Sequence, residues 1–175
     1  MTQYARPDAD TSNAGSWSPS TGSDLYAVID EAVADDVDNV SIGSPEDSAF
    51  VVRLSDVTDP SSAAHHKVYY RALDDSAGDI VLTVALLEDS TARATRANSS
   101  ISDSATEYTF TLSTSEANSI GNYNNLHLSF SANDPEAMGP TVTVTQAWFQ
   151  CPDAGGGGSS IAPIAMNHYR KLRGN

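Results

Sequence analysis

The stretch His65–Glu88, HHKVYYRALDDSAGDIVLTVALLE, constrains this chain more than any other. Lys67–Leu73 and Asp79–Leu87 are rich in Val, Ile, Leu, Tyr and Thr, the residues that fit a pleated, half-buried surface. Between them, Asp74-Asp75-Ser76-Ala77-Gly78 has turn chemistry, because Asp side chains bond nearby backbone amides and glycine accepts a positive φ. Read locally, this is a hairpin. Ile80, Leu82, Val84 and Leu86 share one face of its second strand, and Val81, Thr83, Ala85 and Leu87 share the other. Both faces are largely apolar, which predicts a central strand covered on both sides. A sheet with such a strand needs a second layer, and the remaining sequence offers strands rather than helices.

Leu25–Ile29, Val40–Ile42, Phe50–Leu54, Thr91–Ala97, Glu107–Leu112, Leu126–Phe130 and Val142–Phe149 read as further strands, with Thr91–Ala97 at an edge and its arginines facing water. Thr114–Ile120 is the one short helix, with Ser113 or Thr114 as its cap, Glu116 near its positive end and Gly121 as its stop. Eight or nine closely spaced strands with one helix predict an all-β, antiparallel β-sandwich. Long crossings favour a jelly roll over an immunoglobulin-like order. Pro7, Gly15, Pro19 and Gly22 mark residues 1–23 as an extended N-terminal arm, with Trp17 packed on the domain edge. The sandwich domain then occupies residues 24–150.

Composition changes at its end. Residues 151–160 contain four consecutive glycines and two serines, a flexible linker. Residues 161–175, IAPIAMNHYRKLRGN, follow as a C-terminal docking peptide. Ile161, Ile164, Met166, Tyr169 and Leu172 are its apolar anchors, and Arg170, Lys171 and Arg173 carry its charge. The first 150 residues hold 22 acidic and six basic side chains, net −16, whereas residues 151–175 hold one and three, net +2. An acidic body thus carries an oppositely charged peptide on a tether.

The overall charge of −14 argues against nucleic acid and against anionic membranes as partners. The start of the chain lacks an apolar run of the kind a secretory signal needs, and no apolar run approaches membrane-spanning length, so a soluble product made in a cytoplasm is expected. Cys151 is the only cysteine, which excludes an intrachain disulfide. It lacks the neighbouring base that a nucleophile needs, and no Gly-x-Ser-x-Gly elbow is present. His65 and His66 are adjacent, so on a strand they point to opposite faces and cannot chelate one ion; His127 reads as structural. Asp35-Asp36-Val37-Asp38-Asn39 offers hard oxygen ligands without the full spacing of a calcium loop, and a solvated acidic loop is the simpler reading. No catalytic group, cofactor or metal is assigned. Tyr69-Tyr70, Tyr123 and Trp148-Phe149 are candidates for a sugar platform, although alternation sends one of each adjacent pair inward.

The opening Arg6-Pro7-Asp8-Ala9-Asp10, with Trp17 through Glu31 (WSPSTGSDLYAVIDE) and Asp35-Asp36-Val37-Asp38, resembles the start of structural proteins of tailed bacteriophages. The run Tyr108–Phe130 and the tail Ile161–Arg170 are similar to segments of small phage virion proteins. The resemblance implies a virion component, in head, neck, tail or fibre, and carries no catalytic residues. Among those positions the short, single-domain, tethered chain favours a non-enzymatic capsid decoration (cement) protein. It would be present in many copies and bound to the major capsid protein or other virion proteins. A carbohydrate- or receptor-binding module of a fibre or spike is the alternative, with a glycan as partner.

Overall fold

The computed structural model describes residues 1–43, 46–75, 80–135 and 139–154, apart from the side chains of 46–48. It contains strands β1 (Thr2–Ala5), β2 (Pro7–Asn13), β3 (Ser18–Pro19), β4 (Val40–Gly43), β5 (Glu46–Leu54), β6 (Lys67–Asp74), β7 (Val81–Glu88), β8 (Thr91–Asn98) and β9 (Thr106–Thr111). Helix α1 (Thr114–Asn118) and strands β10 (Leu126–Asn133) and β11 (Thr141–Pro152) follow. One sheet has the order β3-β4-β11-β6-β9, with β1 also paired to β11; the other is β2-β5-β10-β7-β8. Every pairing is antiparallel. The last eight strands pair in nested fashion, β4 with β11, β5 with β10, β6 with β9 and β7 with β8. That is one long ribbon rolled on itself, a jelly roll.

Strands β6 and β7 are not a hairpin. They lie in different sheets. Each turns one apolar face to the common core, Val68, Tyr70 and Ala72 from one side and Leu82, Val84 and Leu86 from the other. At the end of β6, Asp74 N–H donates to Ser102 O in the β8–β9 loop (2.9 Å), and Asp75 Oδ1 accepts from the N–H of Thr141 at the start of β11 (2.8 Å). The outer face of β7, with Val81, Thr83, Ala85 and Leu87, is half-buried rather than covered.

Residues 1–23, expected as an arm, instead supply strands to both sheets. β1 pairs with the end of β11, β2 extends the second sheet from β5, and β3 borders β4. Their polar sequences carry no alternation because most of these residues are exposed. Pairing with an existing edge forms them, not propensity. Leu25–Ile29 is also not a strand. Asp10 accepts from the N–H groups of Leu25 (2.9 Å) and Tyr26 (2.8 Å), which starts a 3-10 turn over Tyr26–Val28.

The core is built on aromatic contacts across the sheets. Phe50 and Phe130 are cross-strand partners that stack at 5.0 Å, Trp17 meets Phe50 edge-on at 4.9 Å, and Tyr70 meets Phe130 at 6.3 Å. Trp17 is thus a core residue closing one edge. Helix α1 has the expected start: Ser113 and Glu116 form a reciprocal capping box, and Arg96 grips Glu116 with two bonds of 2.8 and 2.9 Å. That guanidinium, with the cap amide, holds the Glu116 carboxyl down at about 2.

Phe130 is fully buried among these rings. Phe130→Ala should therefore lower stability by about 3–5 kcal/mol in denaturant unfolding. A loss under about 1 kcal/mol would contradict the packing described.

Candidate interaction surface

One end of the sandwich gathers the chemistry of the molecule. Lys67 pairs with Gln150 and Thr111, and Leu126 pairs with Glu88. The β5–β6 loop, the β7–β8 turn, α1 and the start of β10 therefore lie at the same end. Thr2 pairs with Pro152 there, and Asp153 N–H donates to Met1 O at 3.2 Å. The chain leaves the described region from this point, after Ala154. The docking residues Ile161, Ile164, Met166, Tyr169, Arg170, Lys171, Leu172 and Arg173, like the linker from 155 on, lie outside the described residues.

A bulge in β11 decides what the outer face of its sheet presents. Val144 pairs with Ala72 and Gln146 with Arg71, leaving Thr145 as the extra residue. Strict alternation from Val142 and Val144 would bury Trp148. The bulge reverses the parity, so Phe149 and Cys151 are buried and Trp148 stands outside. Trp148 stacks on its cross-strand neighbour Tyr69 at 4.8 Å with planes 8° apart. On the β1 side the Arg6 guanidinium lies 5.4 Å from the Trp148 ring, and Lys67 Nζ is 6.0 Å from that of Tyr69. Both broad faces of Trp148 are thereby covered. The pair braces the sheet and offers ring edges, not the open platform a sugar ring would stack upon.

The acidic segment folds over the same bulge. Asp36 takes two bonds from Arg71 (2.6 and 2.8 Å) and one from the Thr145 hydroxyl (3.0 Å), and Arg71 foremost holds its carboxyl below the usual range. Gln146 Nε2 donates to Glu31 O at 2.6 Å, and Arg6 donates to the same carbonyl. Burial, with Asp30, Asp38 and Asp35 nearby, pushes the Glu31 carboxyl up. Among the described residues no three of His, Cys, Asp and Glu gather closely enough to hold a metal ion. Asp35 Oδ1 accepts from Val37 N–H (3.0 Å), an ordinary loop bond.

The two adjacent histidines precede β6 rather than lying on a strand. His66 is fully buried; His65 is exposed and held at φ 60°. His66 Nδ1 lies 3.1 Å from Ala64 O and Nε2 lies 2.7 Å from the Tyr123 hydroxyl. Nδ1 therefore donates to the carbonyl, and Nε2 accepts from Tyr123. Burial holds the imidazole below its ordinary value, against the opposing carbonyl bond, and pushes the Tyr123 hydroxyl up. Above this pair lies an open hollow of about 270 Å³, lined by Asp59, Ser61, Ser62, Asn118, Ile120 and Tyr123. Tyr123 was legible as a candidate aromatic. Asp59, the serines and Asn118 were not, because loop residues far apart in sequence carry no shared spacing. His127 is half-buried on β10, with Nδ1 3.1 Å from Asn125 O. Cys151 is buried, and its thiol is pushed up to about 12 by burial foremost.

No protein-family model matches this chain, and no curated protein matches it. Among solved structures it is similar to a family two carbohydrate esterase from Cellvibrio japonicus, at 8% identity and TM-score 0.44 over 87% of this chain and 36% of that one. It is also similar to the CBM36-1 domain of a multidomain xylanase from the hindgut metagenome of Trinervitermes trinervoides, at 11% identity and TM-score 0.39 over 86% and 95%. A third likeness is to the glycoside hydrolase domain of Endo-D from Streptococcus pneumoniae R6, at 13% identity and TM-score 0.40 over 87% and 21%. The chain spans about a third of the esterase and a fifth of the hydrolase. The fold assignment rests on the strand order, not on these likenesses. No helix among the described residues is long and apolar enough to cross a membrane.

Two measurements check this chemistry. A disulfide-exchange thiol reagent should label Cys151 only as fast as the molecule opens, because a buried thiol near 12 forms little thiolate; immediate stoichiometric labelling of the native protein would contradict its placement. For His66 the folded value is depressed below the unfolded 6.5, so the unfolded chain binds the proton first. Stability should fall as pH drops below about 6.5 and level off beneath the folded value. In His66→Gln that slope should be absent. An equal slope in both proteins would show that His66 is not held neutral.

Proposed function

We propose that this chain is a non-enzymatic structural and binding module that works in many copies on a particle. The particle is a tailed-phage virion, and the position is the head surface, where the chain acts as a decoration (cement) protein. Residues 161–175 engage the major capsid protein or another virion protein.

The observation that carries this reading is the zipper of β1 on the end of β11, which holds the last described residues in place. The residues that follow Ala154 carry three basic side chains and no acidic one, net +3, against a body of net charge −17. Docking by strand addition or by insertion of Ile164, Met166, Tyr169 and Leu172 into a groove suits such a peptide. Many copies on a symmetric shell multiply a weak contact per chain. The buried state of His66 and Cys151 fits a binding role better than a catalytic one.

A second reading, a glycan- or receptor-binding module of a fibre or spike, is favoured by one observation. The hollow at the helix end has a Tyr123 floor and a polar rim.

A chain ending at Ala154 should melt at the temperature of the full protein and fail to enter particles. Normal incorporation of that folded body would overturn the tethering role.

A further inference from the structure

We propose that the hollow between the β5–β6 loop and the C-terminal side of α1 binds a single neutral sugar ring, the exposed unit of a surface glycan. The proposal deepens the second reading and is independent of the tail.

A pyranose presents a face of C–H groups and a circumference of hydroxyls, and the hollow answers chiefly the second. The apolar residues among its lining, Ile120, Tyr123 and Ala117, are buried and expose little surface to it. Its rim is polar and exposed, made by Asp59, Ser61, Ser62 and Asn118. At about 270 Å³ it lies just below the range of roughly 300–1,000 Å³ typical of drug-sized sites, which suits one ring and not a chain.

The walls are fixed before any ligand arrives. Tyr123 cannot swing, because its hydroxyl is bonded at 2.7 Å to the buried His66. The wall after α1 is tied by Glu88, whose Oε2 accepts from Gly121 N–H (2.9 Å) and from Arg93 (3.0 Å). On the opposite side, Asp59 Oδ1 takes Ser61 N–H at 2.8 Å and Ser62 Oγ takes Ala64 N–H at 3.3 Å. This loop holds two non-glycine residues at positive φ, Ser61 at 52° and His65 at 60°. Such conformations persist only where surrounding contacts over-determine them, and they concentrate at binding sites. A carboxylate accepts about four hydrogen bonds, so Asp59 keeps capacity for ligand hydroxyls beyond its bond to Ser61. A fixed site of this kind loses little entropy when the ligand docks.

Charge selects among sugars. The hollow is lined by Asp59 and by no lysine or arginine, on a chain of net charge −14. Sialylated, uronic and phosphorylated units are repelled, and neutral hexoses or their N-acetyl forms are favoured.

The full-length protein would be placed on an array of neutral and acidic glycans, and the best neutral monosaccharide followed by saturation-transfer NMR. Asp59→Ala and Asn118→Trp, the second filling the hollow from its rim, would be measured beside the wild type, each with its melting temperature. The proposal expects neutral-glycan binding that weakens about tenfold or more in both folded variants, the size of a lost charged hydrogen bond. Neutral-glycan binding unchanged by both variants would overturn this hollow and leave the glycan reading standing elsewhere on the surface. Binding restricted to acidic glycans would overturn the selectivity and with it the proposal. No binding to any glycan would overturn both the hollow and the glycan reading, leaving the assembly role untouched.

Discussion

Strand β11 is the interaction hub on which the rest of this molecule depends. One of its edges is paired along its length with β6. The other is shared: β4 covers Thr141–Val144, Ile29 O accepts from Ala147 N–H at 3.0 Å, and β1 covers Phe149–Pro152. Among the described residues no other strand joins segments from so many parts of the chain. Its bulge at Thr145 draws the acidic loop onto the sheet through Asp36 and turns Trp148 outward while burying Phe149. A single inserted residue thus sets both the core and the outer face.

Much of the fold was legible in the sequence, for physical reasons that can be named. Alternation located eight of the strands, and the capping chemistry of Ser113 and Glu116 located the helix. What failed was everything decided by a distant partner. Asp74 and Asp75 have turn chemistry, yet turn chemistry does not say which sheet the next strand joins. Thr2–Ala5 and Pro7–Asn13 are too polar to announce themselves, and they are strands because β11 and β5 offer them an open edge. Leu25–Ile29 has a strand's composition, and a carboxylate fifteen residues upstream caps it into a 3-10 turn.

The same division holds for the candidate surfaces. Alternation correctly required that one residue of Tyr69-Tyr70 and one of Trp148-Phe149 turn inward. Which member of the second pair did so depended on a bulge that no period reveals. The resulting Tyr69–Trp148 stack is closed on its Arg6 side, so the Trp148 ring is flanked on that side by a guanidinium. The hollow beside Tyr123 takes its rim from Asp59–Ser62 and Asn118, brought together only by the rolled topology. The last described residues, Asp153 and Ala154, the helix and the hollow share one end of the sandwich. A module docked by its tail would hold that end near its anchor.

Hydrogen–deuterium exchange followed by peptide mass spectrometry on the intact protein tests the central claim most directly. If β1 and β2 are integral strands, with β1 zipped onto the end of β11, residues 1–13 should be protected together with residues 141–152, both approaching global unfolding. Free exchange of residues 1–13 within seconds, with 141–152 still protected, would contradict the account. It would return the first residues to the status of an arm.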